Sequence, residues 1–284
     1  MNRKPMTLQR QKLLLDIVTY SVLVLGAILM LGPFLWMVST SFKLPADQFG
    51  HSLIPPTPTL QNFQALFAVD IGYPNLFFNS TYISLLITAG QILTCAMAAF
   101  CFAVVHFRGR DLLFTLLLVT LMIPAQVTLI PNFIIFKWLH LIGTAVPLWL
   151  PAFWGGAFGT FLLRQYFLTV PRELVDASRI DGASLFQIFW KVYLPLAKPA
   201  LAALAIFTFQ GAWNDLLHPL IYLPGVPNTT LTVGLAFFQQ QLILGGKYTV
   251  LMAGALTSIL PLLLVFLVAQ KQFIEGIALT GVKR

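Results

Sequence analysis

Charge is what this sequence has least of. Asp, Glu, Lys and Arg make up 9% of its 284 residues, where soluble domains carry roughly 25%. That shortage excludes an ordinary water-soluble enzyme or binding domain. Acids are the scarcest, nine against 17 Lys and Arg. Cys95 and Cys101, the only cysteines, rule out a disulfide framework. Six apart on one expected helix, they stand about 9 Å apart along its axis. A bond needs Cα atoms within about 7 Å, so both are read as small buried apolar residues. His106, His140 and His218 are solitary and His51 lies in a loop, so no metal site and no catalytic nucleophile–base pair is expected. The run Gly245-Gly246-Lys247-Tyr248-Thr249 fails as a phosphate loop. Gln241 and Tyr248 stand where that loop needs its first Gly and its Ser or Thr.

Apolar residues, 58% of the chain, fill the balance. Six apolar runs reach the roughly 20 residues a helix needs to cross a hydrocarbon core: Leu14–Val38, Phe77–Val105, Leu112–Phe136, Thr144–Phe167, Pro199–Leu223 and Tyr248–Gln270. The alternation of a membrane barrel is missing. The expected fold is all-α, a polytopic membrane protein with six transmembrane helices in a single domain over residues 1–284. The first run competes with a signal peptide, but it is too long for a signal core and no small-residue cleavage pattern follows Trp36. With the N-terminus, second and fourth loops and C-terminus on one side, that side holds all 17 Lys and Arg except Lys43, Lys137 and Lys247. The positive-inside rule makes it cytoplasmic, with both termini there. The net charge of +8 is then topology, and no nucleic-acid partner is needed.

The loops are mostly plain connectors. The outer segment Ser39–Asn75 is rich in proline, and the run LTVGLAFFQQQ after Thr230 is expected to form a short helix at the membrane face. Residues 168–198 break this economy. Pro171 suits a first helical position, with Glu173 close behind at the positive end of the dipole. Arg172, Asp176 and Arg179 place opposite charges on one face. Asp181-Gly182 supplies a break, and Ser184 with Gln187 matches a capping box. Phe186, Phe189, Trp190 and Tyr193 form an aromatic stripe before Pro195 ends the second helix. The loop therefore reads as helix, turn, helix between the fourth and fifth spans. By pattern alone it is either an amphipathic connector resting on headgroups or a docking element. Small Ala177 and Ser178 would let a partner approach, and Gly182 would form an elbow where a side chain obstructs.

These residues resemble the "EAA" loop of ABC-transporter permeases, which runs EAA, three residues, G, nine residues, I-x-L-P. Asp176-Ala177-Ser178 stands at EAA, Gly182 at the Gly, and Val192, Leu194 and Pro195 at the final element. Asp for Glu, Ser for Ala and Val for Ile are the departures. The likeness continues through FFNSTYISL, FRGRDLLF, MIPAQVTLIPNF, GTFLLRQYF, GAWNDLLHPLIY and the tail QKQFIEGIALTGVKR. In order and spacing the chain is similar to the carbohydrate-uptake branch, specifically the shorter, six-span permease of maltose transporters. The resemblance implies a subunit of a heteromeric importer in a prokaryotic inner membrane. Its partners would be a second permease, two cytoplasmic ATPases that bind ATP and Mg, and an external solute-binding protein. The chain itself would hold no cofactor and catalyse nothing. The same resemblance assigns Glu173, Asp176, Ala177, Ser178, Asp181, Gly182, Ala183 and Pro195 to ATPase coupling. Gly281, Val282 and Lys283 would form an ATPase-contacting tail, and Gln239, Gln240, Gln241 and Gly245 a contact for the binding protein. The implied solute is a sugar or oligosaccharide, with glycerol-phosphate or another polyol derivative as the alternative.

Polar residues within spans are costly against lipid, which makes Thr88, Gln91, Gln126, Asn132, Gln210 and Asn214 candidates for a translocation path. Thr81, Ser84, Thr88 and Gln91 share one helical face, for which interhelical packing is the commoner explanation. Asp215, the only acid well inside a span, reads as paired or capping rather than solute-binding. Pro124, Pro131, Pro147, Pro151, Pro219 and Pro261 interrupt spans, as in bundles that enclose a cavity. An ion-coupled carrier would need titratable groups at midplane, and a membrane-embedded enzyme would need clustered His, Asp or Glu. The sequence offers neither pattern.

Overall fold

The computed structural model describes residues 8–68, 72–225 and 228–281. Among these residues every regular element is helical. In chain order they are α1 (Leu8–Ser41), α2 (Gln61–Ala68), α3 (Tyr73–Val104), α4 (Arg110–Val119), α5 (Ala125–Trp138), α6 (Val146–Trp149) and α7 (Ala157–Phe167). Then follow α8 (Glu173–Ile180), α9 (Leu185–Ile188), α10 (Leu194–Leu196), α11 (Lys198–Trp213), α12 (Leu217–Tyr222), α13 (Leu231–Leu244) and α14 (Tyr248–Gly281). The expected short helix in the outer loop is α13.

Four helical stretches are long and apolar enough to cross a membrane: Lys12–Ser41, Tyr73–Val104, Val146–Phe167 and Tyr248–Gln270. The other expected spans are not straight rods. The third bends by 98° between Met122 and Ala125, where Pro124 cannot continue the helix and serves as the N-cap of α5. The fifth is α11 and α12 separated by Asn214–Leu216, and a 78° bend at Ala197 precedes it. The fourth is also built in pieces, with a 3₁₀ segment at Leu150–Trp154 before α7. Pro131 and Pro261, by contrast, lie inside continuous helices.

The chain divides into two compact units. One comprises the chain up to Ala68 with Gln239–Thr257, and the other comprises the rest. In the first, Asn62 is buried beneath the end of α1. Its Nδ2 donates to the carbonyls of Ser41 (2.8 Å) and Lys43 (2.7 Å), and its Oδ1 accepts from the Thr249 hydroxyl (2.9 Å). Lys43 is only 1% exposed. Its Nζ donates to the Gly50 carbonyl at 2.8 Å and stands over the Trp36 ring at 4.1 Å.

In the second unit α3 is the axial helix, packed by α7, α11 and the 3₁₀ segment. Small residues let these helices approach, as in membrane bundles generally. Gly159 on α7 is one such close approach: a Cβ there would stand 2.8 Å from Cys95 Sγ and 3.1 Å from the Leu204 methyls. Gly159→Val is therefore expected to cost about 1–3 kcal/mol through overpacking, read as a lower unfolding midpoint of the detergent-solubilised protein. Gly159→Ala should lose less. Of the two cysteines, Cys95 is buried as expected, whereas Cys101 is exposed.

Candidate functional site

The 168–198 segment forms the helix–turn–helix that its pattern dictates, with three corrections. The first helix starts at Glu173, not Pro171, because Pro171 and Arg172 supply carbonyls to the amides of Leu174 and Val175 instead of joining the helix. Pro195 does not end the second helix. It lies in the last turn of that helix, which runs on through α10 to Leu196, and the chain turns at Ala197. The charges around Asp176 also stay apart. Among the described residues the close ion pairs are Arg110–Asp111 and Asp215–His218. Arg172, Asp176 and Arg179 instead line a cleft of about 180 Å³ with His106.

The turn is as expected. Gly182 has φ 79°, in the left-handed region that costs an L side chain about 1–2 kcal/mol. The capping box is complete: Ser184 N donates to Gln187 Oε1 at 2.8 Å, and Gln187 N donates to Ser184 Oγ at 3.3 Å. A cleft of about 300 Å³ opens between the two arms, lined by Ser178, Asp181, Gly182, Ala183, Gln187 and Lys191 among others.

The aromatic stripe splits into two roles. Phe189 and Tyr193 are buried, whereas Phe186 and Trp190 are exposed. Tyr193 meets Phe100 of α3 at 5.1 Å and Phe167 of α7 at 5.2 Å between ring centroids, both edge-on. Phe189 meets Phe100 at 5.4 Å. Such pairs add about 0.5–1.5 kcal/mol each beyond the area they bury. Val175 of α8 and Ile188 of α9 join the same core. Burial lifts the Tyr193 phenol above its ordinary value, and Arg172 opposes the shift. The base of the loop is thus fixed to α3 and α7. Its tip carries Ile180, 87% exposed. Sequence reading passed over Ile180 because a single Ile in a short helix is unremarkable until its face is known.

Between Phe189 and Tyr193 the helix is π-wound, and the Leu194 amide reaches the Phe189 carbonyl. Such turns concentrate at functional positions.

The second candidate site is a cavity of about 570 Å³ in the larger unit. Of the expected path residues it gathers Gln91 from α3 and Asn132 from α5. Gln91 is held against Gly156, where any Cβ would collide with its amide nitrogen. The others stand elsewhere. Thr88 returns its hydroxyl to the Ser84 carbonyl of its own helix (2.7 Å), and Asn214 donates to the Gln210 carbonyl (3.1 Å). Gln126 is exposed and does not line the cavity.

Asp215 and His218 line the cavity as well. Asp215 is paired and capping, as its sequence context implies. Its Oδ1 accepts the His218 amide at 3.3 Å, and its Oδ2 lies 2.8 Å from His218 Nδ1. His218 is therefore not solitary, and it stacks on Tyr222 at 6.3 Å. The i, i+3 spacing of the pair was visible, but the break that turns both side chains into one cavity was not. Among the described residues no three His, Cys, Asp or Glu cluster as a metal site would require.

Gln239 is exposed on α13, which continues through the backbone of Gln240 and Gln241; Gly245 follows, also exposed. Gly281 is the last residue of α14, and Val282 and Lys283 lie outside the described residues.

Comparison with known proteins places this geometry. Residues 71–277 match the family described as binding-protein-dependent transport system inner membrane component. The chain is 37% identical over 255 residues to the arabinooligosaccharides transport system permease protein AraQ of Halalkalibacterium halodurans, covering 88% of this chain and 90% of that one. It is 34% identical to the lactose transport system permease protein LacG of Rhizobium radiobacter (95% and 97% covered). It is 31% identical to the sn-glycerol-3-phosphate transport system permease protein UgpE of Yersinia enterocolitica (93% and 96% covered). Among solved structures, a chain of a bacterial ABC transporter involved in import of the acidic polysaccharide alginate superposes with a TM-score of 0.82 at 25% identity, covering 95% of this chain and all of that one.

Proposed function

This chain belongs to the family of inner-membrane components of binding-protein-dependent transport systems, and on that footing we propose that it moves a sugar or oligosaccharide as one half of the pathway of an ATP-driven importer. Its own role is not catalytic. In this reading the 168–198 loop lies in the cytoplasm, as do both termini. Glu173, Asp176, Ala177, Ser178, Asp181, Gly182, Ala183 and Pro195 form the lever that a partner ATPase grips. A second permease completes the pathway, two ATPases bind ATP and Mg, and an external solute-binding protein meets the surface at Gln239, Gln240, Gln241 and Gly245. Gly281, Val282 and Lys283 form the ATPase-contacting tail. Solutes named for the relatives, arabinooligosaccharides and lactose, support the sugar class, and sn-glycerol-3-phosphate supports the polyol alternative.

One observation carries the coupling assignment: the loop has an exposed apolar tip at Ile180 and a base buried at Val175, Phe189 and Tyr193. An ATPase can drive a permease only by changing the relative stability of its two states. A lever bound into the α3–α7 core transmits such a difference; a connector floating on headgroups would not.

The test is cross-linking in the assembled importer. With Cys95 and Cys101 replaced by Ser, Ser178→Cys or Ile180→Cys is expected to capture an ATPase subunit, with a yield that changes when ATP is added. Capture of lipid or of nothing at both positions would return the loop to the status of a surface connector.

A further inference from the structure

The cavity that gathers Gln91 and Asn132 carries a charge pattern that selects among solutes. Among the described residues Asp215 and His218 are the only lining residues able to bear charge near neutrality, and neither Lys nor Arg lines the cavity. With Asp215 ionised, the pair sums to −1 when His218 is neutral and to zero when it is protonated. With Nδ1 turned to the Asp215 carboxylate at 2.8 Å, the neutral imidazole leaves Nε2 as an acceptor. A carboxylate has about four lone-pair sites, and His218 takes two of them. With neutral His218 the dyad offers only acceptors, and in either state the Asp215 carboxylate keeps accepting sites that suit solute hydroxyls and oppose phosphate or carboxylate oxygens. Around it stand the apolar faces of Phe136, Phe158, Phe207 and Tyr222. The volume of about 570 Å³ lies within the range of small-molecule sites, about 300–1,000 Å³.

We propose that this chain contacts its solute directly at the Asp215–His218 dyad, and that the dyad restricts the solute to uncharged polyhydroxylated molecules, excluding glycerol-phosphates and acidic saccharides. The proposal rests on the importer reading above and narrows it. Asp215 and His218 are specificity residues, with Gln91 and Asn132 supplying mixed donors and acceptors on the facing helices.

The experiment is equilibrium binding of radiolabelled arabinotriose, lactose and sn-glycerol-3-phosphate to the complete membrane assembly in nanodiscs, with the external binding protein left out. Wild type is expected to bind at least one neutral sugar and to bind the phosphate at least about tenfold more weakly. Asp215→Asn keeps an acceptor for the His218 amide and hence the cap on α12, but loses the charge. It should weaken sugar binding about tenfold, the scale of one charge-assisted hydrogen bond, and narrow the gap to the phosphate. His218→Gln should do the same in smaller measure. Equal or tighter phosphate binding by wild type, no binding of either sugar, or sugar binding unchanged in both variants would each overturn the proposal. ATP-dependent uptake, assayed in parallel in proteoliposomes with the binding protein restored, separates the two readings. Uptake without the charge discrimination removes this inference alone, whereas loss of any nucleotide-dependent uptake would remove the importer reading beneath it.

Discussion

Gly182→Val in the assembled importer is expected to uncouple it: ATP hydrolysis should no longer rise when loaded binding protein is added, and transport should fall about tenfold or more. The reason is the backbone. Gly182 sits at φ 79°, and a β-branched residue is a genuine outlier there. A Cβ at this position would meet nothing in the chain within 4 Å, so crowding inside the subunit is not the cause. The cost of about 1–2 kcal/mol falls on the geometry of the elbow, and a difference of 1.4 kcal/mol is already tenfold in the occupancy of the right conformation. Gly182→Asn is the informative companion, because Asn tolerates positive φ. Normal stimulation in Asn and loss in Val would locate the effect in backbone shape. Loss in both would locate it in obstruction of a partner's surface. Full stimulation in the Val variant would show that the elbow is not part of the coupling path.

Asn62→Leu should produce the largest loss of stability. The substitution roughly conserves size but strips the partner from the carbonyls of Ser41 and Lys43 and from the Thr249 hydroxyl. Stranding buried polar groups costs about 1–3 kcal/mol each, so a loss of about 3 kcal/mol or more is expected. Read through intrinsic tryptophan fluorescence of the protein in nanodiscs, the unfolding midpoint should fall by roughly 6 °C or more. A midpoint within about 1 °C of wild type would mean that water replaces the amide at no cost.

How much of this could be seen in the residues depends on how local each feature is. The Ser184–Gln187 capping box and the Gly182 turn are written within four residues and formed as read. The start of α8 was misplaced by two residues, because a proline is equally at home just before a helix and in its first turn, and the second helix runs one residue past Pro195. Pro124 marked a break in the third run, but the 98° bend there and the 78° bend at Ala197 ahead of the fifth escaped, because hydropathy reports length and not direction. Asn62 escaped altogether: its partners lie 19 to 187 residues away, and nothing in the run QNFQ distinguishes a staple from a surface amide. The cavity was half legible. Gln91 and Asn132 were marked by their cost in lipid, but Gln210 and Asn214 were marked by the same rule and lie elsewhere. Polarity alone does not say which way a side chain turns. Asp215 and His218 needed the break after α11 to become neighbours in one cavity.

The wide turn between Phe189 and Tyr193 holds one residue more than ordinary winding requires. That surplus is absorbed where the winding widens, so the stretches before and after it keep their bearing, and both Phe189 and Tyr193 reach Phe100 from it. The loop's tip therefore owes its direction to this aromatic seat rather than to the number of residues in the turn.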